Sequence, residues 1–199
     1  MQPKPNFRPA TIADVSALAV LVDIAGEGMP NHMWRGMAKP GQSTLEVGRE
    51  RARREAGGFS YRNAVVAEIG GEIAASLVGY RLDDPYDLTG LGELPENVRP
   101  LVRLEAQAPG SWYVNVLATF PEFRGQGIGA KLLEIAEEKG REARASALSV
   151  IVGSWNEPAA RLYARAGYAA QARERAILPP GFLHEGDWVL MVRSLSGAA

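Results

Sequence analysis

Residues 120–133 read FPEFRGQGIGAKLL, so an arginine and three alternating glycines stand at the start of an apolar-periodic helix. Glycine lets the backbone approach an anion without interference from a Cβ atom. The first turn of a helix offers unpaired N–H groups and a partial positive charge. The sequence therefore predicts that a phosphate-bearing ligand binds at residues 124–130.

Length, composition and charge point to one ordinary domain. The chain has 199 residues, of which 46% are hydrophobic, and we expect a single domain over residues 1–199. Its net charge is -1, with lysine and arginine spread along the chain, so we expect no nucleic-acid partner and no anionic membrane. No apolar run approaches the roughly 18–20 residues that cross a bilayer, and the first residues lack a signal-peptide apolar core. A cytoplasmic protein without a membrane partner is the expectation.

Cysteine and histidine limit the available chemistry. The chain contains no cysteine, which excludes disulfides, thiolate metal sites and a cysteine nucleophile. Its two histidines, His32 and His184, are far apart in the sequence, which argues against a zinc site. We therefore expect no metal.

Hydrophobic periodicity and turn residues predict a strand and helix order. In the first half, Thr11 and Asp14 form a cap-like helix start, and Gly70-Gly71 fits a two-residue hairpin turn. The predicted strands are Phe7–Ala10, Asn63–Ile69, Glu72–Leu82, Trp112–Thr119, Ala147–Gly153, Tyr168–Leu178 and Asp187–Leu195. The predicted helices run from Thr11 to about Gly26, and over Gly41–Arg54, Gln126–Arg141 and Asn156–Ala166.

One stretch shows no clear helix or strand pattern. Residues Asp83–Gly110 contain seven glycines and prolines in all and are much longer than the usual connection of roughly 4–6 residues. We expect an irregular insertion that serves as a lid or as a dimer surface.

Two other glycine motifs compete with the phosphate interpretation. The loop also fits the dinucleotide fingerprint G-x-G-x-x-[GA], but no acid stands in the following strand and only 70 residues remain after Gly129. A Walker A loop needs serine or threonine after its lysine, and Lys131 precedes Leu132. The remaining alternative is that the glycines serve only the backbone geometry of a helix start.

A second motif follows the glycine loop. Asn156 caps a predicted helix, Tyr163 stands seven residues later, and Gly167-Tyr168 ends the helix into a strand. Together, Arg124-x-x-Gly127-x-Gly129 and this Asn156–Tyr168 pattern resemble the GNAT superfamily of acyl-CoA-dependent N-acyltransferases. The resemblance implies an α/β (α+β) fold: a mixed, mainly antiparallel sheet of about seven strands flanked by helices, with splayed fourth and fifth strands.

The same resemblance implies a cosubstrate and its contacts. Acetyl-CoA would lie between the splayed strands, with its arm and thioester along the fourth strand, where a backbone N–H polarises the carbonyl. Asn156 would contact the CoA arm as well as capping its helix, and Tyr163 would protonate the departing thiolate. The implied cofactor-binding residues are Leu117, Ala118, Thr119, Arg124, Gly125, Gln126, Gly127, Ile128, Gly129, Asn156 and Tyr163.

The general base is open. An alkyl ammonium has a pKa near 10.4 and must lose a proton before it attacks a thioester. Many relatives carry a glutamate near the start of the fourth strand, whereas residues 111–115 read SWYVN. Asn115 could hold a water that relays the proton, or it is a structural polar group. Glu105, His32 and Tyr113 are further candidates.

The leading hypothesis is an N-acetyltransferase that moves an acetyl group from acetyl-CoA directly to a primary amine, with Tyr163 and Asn115 as its catalytic residues. The alternative is a CoA-binding sensory or regulatory module without turnover. Residues 83–105 carry six carboxylates and two arginines, so they would attract a cationic acceptor, or they are an acidic solvated loop. The acceptor is a small-molecule or peptide amine, and a homodimer is a family-level expectation.

Overall fold

The computed structural model describes residues 3–195, and its centre is a seven-stranded sheet in the order β1-β2-β3-β4-β5-β7-β6. The strands β4 and β5 are parallel, whereas the pairs β1–β2, β2–β3, β5–β7 and β6–β7 are antiparallel. This mixed, mainly antiparallel sheet confirms the predicted fold class. The strands are β1 (Asn6–Pro9), β2 (Ala64–Ile69), β3 (Glu72–Arg81), β4 (Trp112–Thr119), β5 (Ala147–Gly153), β6 (Ala169–Arg175) and β7 (Asp187–Ser194).

Six α-helices accompany the sheet in the described part of the chain. They are α1 (Val15–Ala25), α2 (Met29–Arg35), α3 (Thr44–Ala52), α4 (Arg99–Glu105), α5 (Ile128–Glu142) and α6 (Glu157–Arg165). Within residues 3–195, none of these helices combines the length and apolar character that crossing a membrane requires.

Two sequence predictions were wrong in part. The segment 83–110 is not irregular throughout, because it contains α4 and a short 3-10 turn over Leu91–Glu93. Strand β6 ends at Arg175 rather than at Leu178. Helix α2 is an addition to the predicted order, and at seven residues it is too short to show a clear helical period in the sequence.

The chain divides into two compact units. The first contains the chain up to Gly79 together with Asn115–Leu132, and the second contains Tyr80–Val114 and the chain from Leu133 onward. The core of the first unit is a cluster of buried apolar residues on β2, β3, β4 and the first three helices, including Leu18, Trp34 and Val66.

Local sequence signals explain how the first unit forms. Thr11 and Asp14 make the predicted capping box: the Thr11 hydroxyl accepts from Ala13, and the Asp14 carboxylate accepts the Thr11 N–H at 2.7 Å. Gly70 and Gly71 connect β2 to β3 with φ values of 61° and 90°. Positive φ at both central residues is the geometry of a type I′ hairpin turn, as predicted.

In the second unit, α4 packs against β6 and β7. Leu104 of α4, Ala108 and Leu190 of β7 form its buried cluster. The hydroxyls of Ser111 and Ser149 share a buried hydrogen bond at 2.6 Å, and Ser111 also donates to the Ala108 carbonyl at 2.7 Å. These contacts hold the end of the insertion against the sheet.

The register of β4 and β5 is defined at the start of both strands. Trp112 pairs with Leu148, Tyr113 with Ser149, and Val114 with Val150. Strand β4 then continues to Thr119. Its second half contains residues 117–119, along which the family resemblance places the thioester. Divergence of the two strands beyond these pairs stays a prediction.

Candidate active site

The glycine loop has a backbone that depends on glycine. A 3-10 turn over Pro121–Phe123 follows β4, and Gly125 and Gly127 then adopt φ values of 76° and 79°, which side chains other than glycine rarely adopt. Among the described atoms, a Cβ added to either glycine would have no neighbour within 4 Å. The loop therefore leaves open space directly over its backbone.

Helix α5 begins immediately after this loop, at Ile128. Its first N–H groups have no partner within the helix, and its dipole is positive at this end. Exposed backbone, open space and a fifteen-residue helix together fit a pyrophosphate. The contacts predicted for Gly125, Gln126, Gly127, Ile128 and Gly129 are compatible with this geometry and stay predictions.

Arg124 connects the loop to the end of β4. Its Nε donates a hydrogen bond of 3.1 Å to the Thr119 carbonyl, and its side chain is exposed. A guanidinium has five N–H donors, so this bond orients the group while leaving donors for a phosphate.

The second half of β4 shows the predicted alternation. Val116 and Ala118 are buried, whereas Asn115, Leu117 and Thr119 are half-buried. Alternate residues of a strand face opposite sides of the sheet. The predicted thioester residues Leu117 and Thr119 therefore share a face with Asn115.

In the second unit, Asn156 is the N-cap of α6. Its Oδ1 accepts the Ala159 N–H at 3.2 Å, so the capping role is confirmed, and its contact with a CoA arm stays a prediction. Gly167 follows the helix with φ of 89°, as a helix-ending glycine should.

Tyr163 lies on the buried side of α6, with 6% of its surface exposed. Its ring centroid is 5.9 Å from that of Tyr168, at an interplanar angle of 58°. Burial raises the pKa of the Tyr163 phenol above its usual value of about 10. The group is therefore a neutral O–H donor at physiological pH, as the predicted acid must be.

Tyr113 is at the centre of a cluster of ionisable groups in the same unit. The Tyr80 ring meets it edge to face, with centroids 5.8 Å apart. Burial is the main cause that raises the Tyr113 pKa, and the charge of Glu105 raises it further. Two sequence candidates for the base, Glu105 and Tyr113, therefore belong to the same unit as the predicted acid Tyr163.

Glu105 ends α4 and is bonded to Tyr86. The Tyr86 hydroxyl donates to Glu105 Oε2 at 2.5 Å. Burial raises the pKa of the Glu105 carboxyl, and the Tyr86 bond opposes that rise. The pKa of Tyr86 is raised by burial and by the same hydrogen bond. We call Tyr80, Tyr86, Glu105 and Tyr113 the tyrosine–glutamate cluster.

Glu105 was a candidate for the general base on the basis of the sequence, but its hydrogen bond with Tyr86 was not predicted. Nineteen residues separate the two, and their contact depends on a helix that the sequence did not reveal. The other two candidates, Asn115 and His32, belong to the first unit. His32 is exposed on α2. Among residues 3–195, no group of three or more metal-ligating side chains comes together.

Comparisons with known proteins identify a family and a shared fold. A family model described as "Acetyltransferase (GNAT) family" matches residues 33–168. A crystal structure described as an acetyltransferase is 22% identical, with 95% of this chain and 98% of that chain covered and a TM-score of 0.67.

Two further solved structures share the fold. An N-acetyltransferase from Staphylococcus aureus Mu50 is 19% identical, covering 94% of this chain and 100% of its own, with a TM-score of 0.66. The putative acetyltransferase yncA from Salmonella typhimurium, solved with acetyl-CoA, is 17% identical, covering 98% and 96%, with a TM-score of 0.61.

Proposed function

Because the chain belongs to the GNAT acetyltransferase family, we propose that it transfers an acetyl group from acetyl-CoA directly to a primary amine. One observation carries the proposal: the predicted phosphate loop has an open, glycine-dependent backbone at the start of α5. The buried Tyr163 phenol supports it, because thioester aminolysis needs a proton donor for sulfur.

In this proposal, the residues of the first unit bind the cosubstrate. The N–H groups of the glycine loop and the Arg124 guanidinium hold the pyrophosphate. The backbone of Leu117, Ala118 and Thr119 lies along the arm and thioester, where one N–H stabilises the negative charge that develops on the carbonyl oxygen. Asn156 is proposed to contact the arm as well, in addition to capping α6 with its Oδ1.

Tyr163 supplies the proton for the departing thiolate. The amine nitrogen attacks the carbonyl carbon, the C–N bond forms and the C–S bond breaks. The reference pKa of tyrosine, about 10, exceeds that of a thiol, about 8.5, so transfer to a solvated thiolate is uphill. Burial raises the pKa of the Tyr163 phenol and desolvation raises that of the thiol, so the transfer depends on close positioning of the phenol beside the sulfur. Asn115 is proposed to hold a water on the amine side.

Thiol release tests the proposal directly. Purified protein is mixed with acetyl-CoA and with amines, polyamines, aminoglycosides or peptides, and free CoA thiol and acetylated product are measured. We expect amine-dependent release with equal amounts of thiol and product. Binding of acetyl-CoA without release for any amine would instead support a CoA-binding sensory or regulatory module.

We also propose a homodimer and a cytoplasmic location. Strand β6 is an edge of the sheet, and the side chain of Leu183 before β7 is 95% exposed, so this region offers backbone groups and apolar surface to a second copy. The insertion at residues 83–110 is the other proposed interface or lid.

Light scattering coupled to size-exclusion chromatography would measure the mass in solution and so test the homodimer. Cell fractionation would test the cytoplasmic location.

A further inference from the structure

The Glu105 carboxylate is half-buried, and its hydrogen-bond partner is neutral. Tyr86 gives it a hydrogen bond at 2.5 Å, but a phenol carries no positive charge. Within residues 3–195, the structure contains no ion pair that involves Glu105. Removing a carboxylate from water is costly unless a cation or several hydrogen bonds compensate the loss. This arrangement is suited to a cation that comes from outside the chain.

The two arginines of α4 are engaged elsewhere. Arg99 donates to the Leu94 carbonyl at 2.9 Å and to the Gly92 carbonyl at 2.8 Å. Arg103 pairs with Glu174 of β6 at 3.5 Å. The positive side chains closest in sequence to Glu105 therefore hold the insertion in place.

Two more tyrosines, Tyr80 and Tyr113, belong to the same unit as Glu105. Tyr113 is buried and meets Tyr80 edge to face, and the charge of Glu105 adds to the effect of burial in raising the pKa of both phenols. A negative carboxylate attracts an ammonium more strongly than it attracts a neutral group.

Tyr86 also lines a cavity of about 210 Å³. The apolar part of its lining comes from Leu88, Leu91, Leu94 and Val102, and Asp87 and Thr89 contribute polar groups. The volume is below the roughly 300–1,000 Å³ of sites for drug-sized ligands. It suits a short aliphatic group rather than a bulky one.

We propose that Glu105, held in place by Tyr86, binds the primary ammonium of an aliphatic amine acceptor, whose carbon chain occupies the cavity that Tyr86 lines. This inference rests on the proposed acetyl transfer and names the acceptor class for it. It also assigns a residue to the missing base. The hydrogen bond from Tyr86 fixes the carboxylate, so Tyr86 is a positioning residue and Glu105 is the group that contacts the acceptor.

The proton balance follows from these assignments. The ammonium gives one proton to the Glu105 carboxylate, which yields a neutral amine and a carboxylic acid, and the acid later releases that proton to water. After attack, the nitrogen loses its second proton as Tyr163 gives one to sulfur, and Tyr163 regains a proton from the nitrogen. The products are an amide, the free thiol and one proton.

Binding of simple amines tests the inference without relying on turnover. Butan-1-amine and putrescine are titrated into the full chain by calorimetry, with butan-1-ol as the uncharged analogue, in the absence and presence of CoA. We expect both amines to bind at least about tenfold more tightly than the alcohol, because only they carry the ammonium. Glu105→Gln should weaken amine binding by roughly tenfold or more and leave the alcohol unaffected.

Glu96→Gln is the matched control, because Glu96 is an exposed carboxylate of the same segment. It removes the same charge and should change amine affinity less than about twofold. Tyr86→Phe should weaken amine binding less than Glu105→Gln does. Circular dichroism and thermal unfolding establish that each variant is folded.

The outcomes separate this inference from the proposed function. Equal amine affinity in wild type and Glu105→Gln, or no amine binding to the wild type, would overturn the acceptor site. Amine binding that depends on Glu105 but is followed by no thiol release would support the site and count against the transferase. Thiol release with an amine KM that Glu105→Gln leaves unchanged would support the transferase and overturn the site.

Discussion

At the scale of single residues, Tyr163 has the most defined chemical assignment. Its phenol is buried on α6 and its raised pKa keeps the proton on the oxygen through the physiological range. The ring packs near Tyr168, whose hydroxyl is also buried. Tyr163 is thus proposed as the acid, and the neighbouring Tyr168 is a second buried tyrosine that can serve as a control.

We predict that Tyr163→Phe lowers kcat by about 10²-fold or more, as loss of a general acid does, while acetyl-CoA affinity changes little. The substitution removes only one oxygen from a buried ring. Steady-state kinetics at saturating substrates and calorimetry would measure the two effects. Tyr168→Phe should retain most of the turnover, and an unchanged kcat in Tyr163→Phe would remove Tyr163 as the acid.

At the scale of elements, α4 shows how tertiary packing stabilises a helix with a weak sequence signal. It has seven residues, which is marginal for an isolated helix, and Pro100 stands in its first turn. Pro100 and Leu104 are fully buried, and Leu104 packs with Ala108 and Leu190. Contacts with the sheet therefore position Glu105.

We predict that Leu104→Ala lowers the free energy of unfolding by about 2–5 kcal/mol, because it leaves a cavity in this cluster. Urea unfolding would measure the change. Leu101→Ala is the control, since Leu101 is on the same helix but only half-buried, and it should cost clearly less. Equal losses in the two variants would mean that Leu104 does not anchor α4.

These elements also show what the sequence could reveal. The Gly70-Gly71 turn, the Thr11 cap and the Asn156 cap depend on a few neighbouring residues, so their local chemistry predicted them. Helices α2 and α4 have seven residues each and contain proline, so periodicity could not reveal them. The Tyr86–Glu105 contact depends on α4, and for that reason only the structure could identify the pair.

At the scale of the whole molecule, the ion pair between half-buried Arg8 and buried Asp14 is expected to make stability depend on pH. Asp14 has 6% of its side chain exposed and accepts two hydrogen bonds from Arg8, at 2.8 and 3.0 Å. Arg8 also bonds Glu68 of β2 at 3.0 Å. The Arg8 bonds, followed by the Thr11 bonds, lower the pKa of Asp14, against the opposing effect of burial. Through its contacts with Glu68 and Asp14, Arg8 thus connects β1 to β2 and to the start of α1.

We predict that Asp14→Asn lowers the free energy of unfolding by about 1–3 kcal/mol at pH 7, since charged hydrogen bonds are lost. A lowered pKa in the folded state stabilises the protein above the unfolded value, near 3.9, and this stabilisation disappears as pH falls. The difference between wild type and variant should therefore shrink below about pH 4. Urea unfolding at several pH values measures it, with the exposed Glu122→Gln as control; a difference that stays constant with pH would contradict the ion pair's contribution.

In the proposed function, cosubstrate binding by the whole protein depends on the loop at Gly127. At position 127, where φ is 79°, the backbone is strained for any residue other than glycine. Gly127→Ala therefore introduces that strain without adding a charge. Gly127→Glu adds a carboxylate where the pyrophosphate is proposed to bind, and like charges repel. The comparison of the two variants therefore separates electrostatic repulsion from backbone strain.

The most direct test is a calorimetric titration of acetyl-CoA into wild type, Gly127→Ala and Gly127→Glu, each first shown to be folded. We predict one acetyl-CoA per chain in the wild type, weaker binding to Gly127→Ala, and a further loss of at least about tenfold in Gly127→Glu. No binding to the wild type, or equal affinity in all three proteins, would contradict the phosphate loop on which the proposed acetyl transfer depends.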